Sequence, residues 1–417
     1  MSPLLALLLA VLCPHVFGFP GGTTEPEMVS PEEPNNRTTD NSLSLARSNT
    51  DFAFSLYKLL ATQNPGDNVI FSPLSVSVAL ALLALGARGN TQIETLQGLK
   101  FNLTQLSEAE IHQGFHLLLS HLSKPGTHLQ LNMSTAVFVD QQLHLLESFQ
   151  QEAQTLYTAD AFPTNFQDPP AAEKLINDYV EQKTQGKIQE LVKDLDPQTV
   201  MVLVNCLFFK AKWKTPFDPR DTFPMSFHVN ESRVENVPMM SLDDTQMLYF
   251  RDEALGITVV QLPYSDSRAC ALFVLPDQGR MAELEATMNP STFQHWRDSM
   301  STRMINLFLP KFSISGDYNL KEVLPKLGIS EVFSVQADLS GFTGNRNLHV
   351  SEVVHKAVLD VAENGTEAAA ATGIKASFLS GSFSTMVIFN RPFLVALFSE
   401  DTQGFLFLGK VTNPVHS

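Results

Sequence analysis

Five asparagines stand where a side-chain amide could be modified. Asn36, Asn102, Asn132, Asn230 and Asn364 each open an Asn-x-Ser/Thr triplet with no proline in the middle. That triplet is acceptor chemistry for an N-linked glycan and has meaning only on an exported chain. Catalytic chemistry leaves no comparable trace. There is no Gly-x-Ser-x-Gly elbow, no His-Glu-x-x-His, no phosphate loop and no dinucleotide fingerprint. His112 and His116 stand four apart, as two ligands on one helix face would, but no third ligand accompanies them. We therefore expect no metal, no other cofactor and no enzyme. Of the three cysteines, Cys13 falls in the leading apolar segment, leaving Cys206 and Cys270. Two thiols in a chain of this size are no disulfide framework. Cys206 lies in an apolar run and reads as a small hydrophobe; a single bridge to Cys270 stays open.

The odd segment of the chain lies near its C-terminal end. Glu363-Asn-Gly-Thr-Glu-Ala-Ala-Ala-Ala-Thr372 carries four consecutive alanines, Ala368 to Ala371. Local propensity makes it a short helix, since alanine is the best helix former. Gly373 stops that helix within two turns, too short to stand alone. Read at period two, Thr366, Ala368, Ala370, Thr372, Ile374, Ala376 and Phe378 share one side. Glu367, Ala369, Ala371, Gly373, Lys375 and Ser377 share the other. Small and apolar residues on one side with charges on the other suit a strand laid on a core.

The elements that would hold this segment can be read from the rest of the 417 residues. Residues 1–18 read as a secretory signal peptide: Leu4 to Val16 is mostly apolar and Phe17-Gly18 follows, although a basic start is missing. Residues 19–49 are rich in Pro, Glu, Asn and Thr and read as a disordered leader. One domain, 50–417, follows. Phe52, Leu56, Leu59 and Leu60 give a helical stripe. Val69 to Ala87 is uncharged, but Ser72, Pro73, Ser75 and Ser77 make it a core helix starting near Pro73 rather than a membrane span. Glu108 to Ser123 and Ala171 to Val192 read as amphipathic helices. Val200 to Phe209 is apolar except for Asn205, as in a central strand buried on both faces, where an asparagine needs partners. Strands follow at Ile257–Val260, Leu272–Leu275 and Ile305–Leu309. A terminal hairpin joins Phe393–Phe398 to Phe405–Val411. The class is α+β. A net charge of -16 argues against nucleic acid, heparin or an anionic membrane as partner. The local basic knot of Lys210, Lys212 and Lys214 reads as a solvated strand end.

Six stretches in order carry a family resemblance: Asn68-Val-Ile-Phe-Ser-Pro-Leu-Ser75; Leu203-Val-Asn-Cys-Leu-Phe-Phe-Lys-Ala-Lys-Trp213; Val354-His-Lys-Ala-Val-Leu-Asp-Val361; Gly365-Thr-Glu-Ala368; Phe389-Asn-Arg-Pro-Phe393; and Phe407-Leu-Gly-Lys-Val-Thr-Asn-Pro414. From about Ser48 onward the chain resembles the serpins, and among them the antichymotrypsin-like branch. The resemblance implies three β-sheets, about nine helices and an exposed reactive-centre loop at about 363–385. It also implies a secreted, monomeric inhibitor of serine proteases. The protease attacks the loop and becomes acyl-linked. The freed loop then enters the main sheet as a new strand and distorts the protease before it can deacylate. Such a native state is held kinetically.

Carried onto this sequence, the resemblance puts the hinge at Gly365, Thr366, Glu367, Ala368, Ala369, Ala370 and Ala371. Counting sixteen on from Glu363 puts the reactive bond at Leu379-Ser380. Leucine after Phe378 suits an apolar specificity pocket, and the implied targets are chymotrypsin, cathepsin G and chymase. The same resemblance groups Ser72, Ser75, Asn205 and His355 as a polar cluster where strands part. It places Trp213 where the loop first enters. A plain cap at Pro73 by the two serines, and plain core packing by Trp213, are the alternatives. Two departures stand in the loop: the Asn364 sequon just before the hinge, and Gly373, which weakens a strand by about 1 kcal/mol against alanine. A non-inhibitory carrier or chaperone is the rival reading. Thr366 and the alanines argue against it, since such members often carry bulky or charged hinges.

Overall fold

A computed structural model describes residues 34–124, 129–346, 348–366 and 384–415, with the backbone alone for 34–43. The expected signal peptide, Glu367 to Ala371 of the expected hinge, and Leu379-Ser380 lie outside the described residues.

Among the described residues there are ten helices: α1 (Pro34–Gln63), α2 (Pro73–Gly86), α3 (Gly89–Gly98), α4 (Glu108–Leu122), α5 (Glu147–Tyr157), α6 (Pro169–Lys183), α7 (Met281–Thr287), α8 (Pro290–Ser299), α9 (Leu320–Val323) and α10 (Ser340–Thr343). The first seven strands are β1 (Val69–Phe71), β2 (Leu129–Asp140), β3 (Asp160–Thr164), β4 (Met201–Lys212), β5 (Phe223–His228), β6 (Val234–Asp252) and β7 (Ile257–Pro263). The remaining eight are β8 (Ala269–Pro276), β9 (Ser301–Pro310), β10 (Phe312–Asn319), β11 (Glu352–Val361), β12 (Gly365–Thr366), β13 (Thr385–Ile388), β14 (Phe393–Ser399) and β15 (Gly404–Val411).

The strands form two sheets. One runs β10-β11-β4-β2-β3, with β12 also on β4. The other runs β1-β15-β14-β8-β7-β6-β9-β13, with β5 on β6. Two of the three expected sheets are thus continuous. The reason is β6, 19 residues long, whose ladder with β9 shifts register between Leu242 and Thr245 and carries hydrogen bonding from one half to the other.

Every residue of α2 is buried, which is why its sequence shows no polar face. Ser72 caps it, and Pro73 sits where its missing N–H costs nothing. Strand β4 is buried on both faces because two cores meet on it. Leu203, Leu207 and Phe209 join the larger core with α2. Val202, Val204 and Cys206 join a smaller core with Ile176, Val180, Ile188 and Leu191, where α6 and the segment after it cover the outer face.

Two expectations shift. Helix α1 begins at Pro34, so the polar stretch 34–49 is not a disordered leader. Burial of Leu45, Ala46 and Ser48 outweighs its composition. Helix α6 ends at Lys183 rather than Val192, because Gln185 and Gly186 adopt positive φ and turn the chain across the sheet. No helix among the described residues is long and apolar enough to cross a membrane.

Candidate functional site

The site is a parting of strands. β4 and β11 run parallel and are paired only from Glu352↔Val202 to Lys356↔Cys206. Above Cys206 the described strands show no pairing with each other, leaving a slot. A cavity of ≈ 20 Å3 lies there, lined by Leu207, Phe208 and Phe209 of β4, Val358 and Asp360 of β11, and Thr366.

A hairpin fills the top of the slot. The chain leaves β11 and reverses through Glu363-Asn364, with Ala362 N–H donating to the Gly365 carbonyl (2.9 Å) and Gly365 N–H donating back (3.1 Å). It returns as β12, antiparallel to β4, with Gly365↔Lys212 and Thr366↔Ala211. Only glycine fits at 365: φ is +146°, and a Cβ would stand 1.9 Å from the Ala211 carbonyl oxygen.

Four anchors hold the turn. Trp213 donates its indole N–H to the Ala362 carbonyl (2.9 Å) and its amide to the Asn364 carbonyl (2.9 Å). Its ring stacks on Tyr264, centroids 4.5 Å apart and 9° from parallel. Tyr264 in turn shares a hydrogen bond with the Thr366 hydroxyl at 2.7 Å. Glu363 accepts from Thr222 (3.2 Å) and pairs with Lys311 (2.9 Å). Burial pushes the Glu363 carboxyl upward, but Lys311 and Thr222 outweigh it and hold the group below the usual range.

The polar cluster sits at the top of the paired ladder. His355 opposes Asn205 across it. The Ser72 amide donates to His355 Nε2 (3.1 Å), and the Ser75 amide donates to Ser72 Oγ (3.2 Å). The Ser75 hydroxyl donates to Asn205 Oδ1, whose Nδ2 donates to Thr135 Oγ1 (2.9 Å). The serines therefore both cap α2 and reach the strands. His355 is fully buried, and burial drives its imidazole down to about 4, against a smaller opposing pull from the Asn205 backbone. At neutral pH it is uncharged and accepts from Ser72.

A family model described as Serpin (serine protease inhibitor) matches residues 47–414. The chain is a serpin. Serpin A3-8 of Bos taurus is 55% identical over 99% of this chain and 98% of its own length. Alpha-1-antichymotrypsin of Homo sapiens is 55% identical over 99% of each. Among solved structures, human thyroxine-binding globulin superposes with a TM-score of 0.86 at 40% identity, covering 90% of this chain and 99% of that one. Human kallistatin gives 0.85 at 42%, again covering 90% and 99%.

In this serpin the residues nominated from sequence on the sheet meet in space: Ser72, Ser75, Asn205 and His355 in one cluster, and Gly365, Thr366 and Trp213 in another. Sequence reasoning does not single out Thr135, Tyr264, Lys311 or Thr222. Thr135 alone carried a signal, a polar residue leading the run Ala136 to Val139. The sequons divide. Asn102, Asn132 and Asn230 are exposed, whereas Asn364 is only 9% exposed, in the hairpin turn. The Asn36 side chain lies outside the described residues. His112 lies under α5 against Tyr157, with Glu108 3.6 Å from its other nitrogen. Among the described residues no three His, Cys, Asp or Glu could hold a metal. Cys206 and Cys270 are buried and unbridged, and burial pushes the Cys206 thiol up to about 12. Of the basic knot, Lys210 and Lys212 belong to β4, while Lys214 lies past its end with its amide bonded to Pro263.

Proposed function

We propose that this serpin is a secreted inhibitor of chymotrypsin-like serine proteases, attacked at Leu379-Ser380 and acting by insertion of its loop between β4 and β11. Strand addition of this kind is the known use of loop insertion in the family. The observation that carries the proposal is β12, an antiparallel strand already seated at the head of the slot. Continued in the same register, Ala368 would oppose Phe209, Ala370 would oppose Leu207, and Thr372 would oppose Asn205. The small side chains would face the larger core, and Glu367 would face outward opposite Lys210. The hinge Gly365 to Ala371 is as long as the slot, since Ala371 would meet Cys206, where the β4–β11 ladder begins. Beyond that point the new strand must unzip five residue pairs and pass the Asn205–His355 cluster. The energy of a cleaved loop falling into the sheet would do that work.

Incubation with chymotrypsin tests the reading. The expected product is a complex that survives denaturing electrophoresis, with release of the peptide starting at Ser380. Cleavage with no complex would overturn it and favour a carrier reading, as in thyroxine-binding globulin.

A further inference from the structure

Asn132 is an exposed sequon in the middle of β2, on the outer face opposite Phe208 of β4. β2 pairs with β3 only from Ala136 onward, so Asn132 lies where that edge of the strand is open among the described residues. It borders a cleft of ≈ 480 Å3, within the range of small-molecule sites (about 300–1,000 Å3). Ser123, just past α4, and Gln182, Lys183 and Gln185, at the end of α6, also line it. Hydroxyl, amide and amine groups dominate this lining, which is the donor and acceptor mixture that sugar hydroxyls and acetamido groups require.

The same turn after α6 borders the insertion slot on its other side. Thr184, Lys187 and Ile188 line the slot cavity beside Thr366. Lys187 also reaches across to Asp360 of β11 (2.7 Å). Residues 182–188 therefore form a wall between two spaces. A strand growing downward from Thr366 would enter the cavity that Thr184, Lys187 and Ile188 line, while Gln182, Lys183 and Gln185 of the same segment line the Asn132 cleft.

We propose that an N-glycan on Asn132 seats its first sugars in this cleft and braces the 182–188 turn, slowing loop insertion. The inference rests on the insertion reading above. Its effect is that of about one net hydrogen bond, a two- to tenfold change in insertion rate.

The test uses full-length protein secreted from mammalian cells. Asn132→Gln removes the sequon; Ser134→Thr keeps it. Mass analysis of the peptide bearing Asn132 reads occupancy. The rate of complex formation with chymotrypsin and the inhibitor consumed per protease inactivated read insertion. Hydrogen exchange over 182–188 reads the brace without any protease. Expected results are an occupied Asn132, two- to tenfold faster complex formation by Asn132→Gln, wild-type rates for Ser134→Thr, and faster exchange of 182–188 in Asn132→Gln. An unmodified Asn132, or equal exchange with and without the glycan, would overturn the proposal. Absence of any complex in all three proteins would instead sink the inhibitory reading, and exchange would still decide on the brace.

Discussion

The side-chain oxygens of Tyr264 and Thr366 lie 2.7 Å apart, with both residues buried. This bond ties β12, the start of the segment proposed to insert, to the nine-stranded sheet, because Tyr264 follows β7 and stacks on Trp213. Tyr264→Phe keeps the stack and leaves the Thr366 hydroxyl without that partner, costing about 1–3 kcal/mol locally. Amide exchange at Gly365 and Thr366 is expected to rise about tenfold or more, with the global unfolding midpoint little changed. Exchange mass spectrometry checks this.

Thr366→Arg places a guanidinium on the face of the sheet that looks into the larger core. A charge without a partner there costs several kcal/mol, more than a strand of alanines returns. The variant is expected to be cleaved by chymotrypsin as a substrate, with covalent complex on denaturing gels reduced about tenfold or more.

Gly365→Ala drives a methyl group into the Ala211 carbonyl oxygen and strains a positive φ. The hairpin is expected to detach from β4 at a cost of about 1–3 kcal/mol. Limited proteolysis with an enzyme that does not recognise Leu379 would show faster cutting near Glu363 than in the parent.

Asn205→Ala removes the acceptor of Ser75 and the donor to Thr135 in a buried site. Two broken bonds with stranded partners predict a loss of about 2–4 kcal/mol, read as a lower urea midpoint. The loss sits where β4 and β11 part, so heating should also bring self-association at lower temperature than in the parent.

His355 makes stability depend on pH. Its folded value, about 4, lies below the unfolded value of about 6.5. The unfolded chain therefore takes up a proton first as pH falls. Stability is expected to fall progressively between about pH 6.5 and 4, by up to about 3 kcal/mol from this group. Urea midpoints at pH 7 and pH 4.5 measure it. His355→Gln should flatten the difference, and an unchanged slope would assign it elsewhere.

The parts of this fold legible in the sequence are those whose pattern is local. The unbroken apolar run of α2 and the doubly buried β4 announce themselves, and Asn205 inside β4 announces a need for partners. What stayed hidden depends on distant partners. Tyr264 and Thr366 are 102 residues apart, and Lys311 reaches Glu363 from the link between β9 and β10. Residues 34–49 read as disordered because their few apolar side chains gain value only once packed. The sequence overstates α6 because Ile188, Leu191 and Val192 are buried by a turn crossing the sheet, which their spacing does not distinguish from another helical turn. Asn364 reads as a surface sequon until the hairpin buries it.

If the loop inserts as proposed, the five-pair ladder between β4 and β11 would set two competing clocks. A shorter ladder would let the intact loop slip in unprompted and waste the molecule. A longer one would give the protease time to release itself and walk away. Substitutions that strengthen the ladder are therefore expected to yield a hardier protein that traps fewer proteases, and the most heat-resistant variant in a library need not be the best inhibitor.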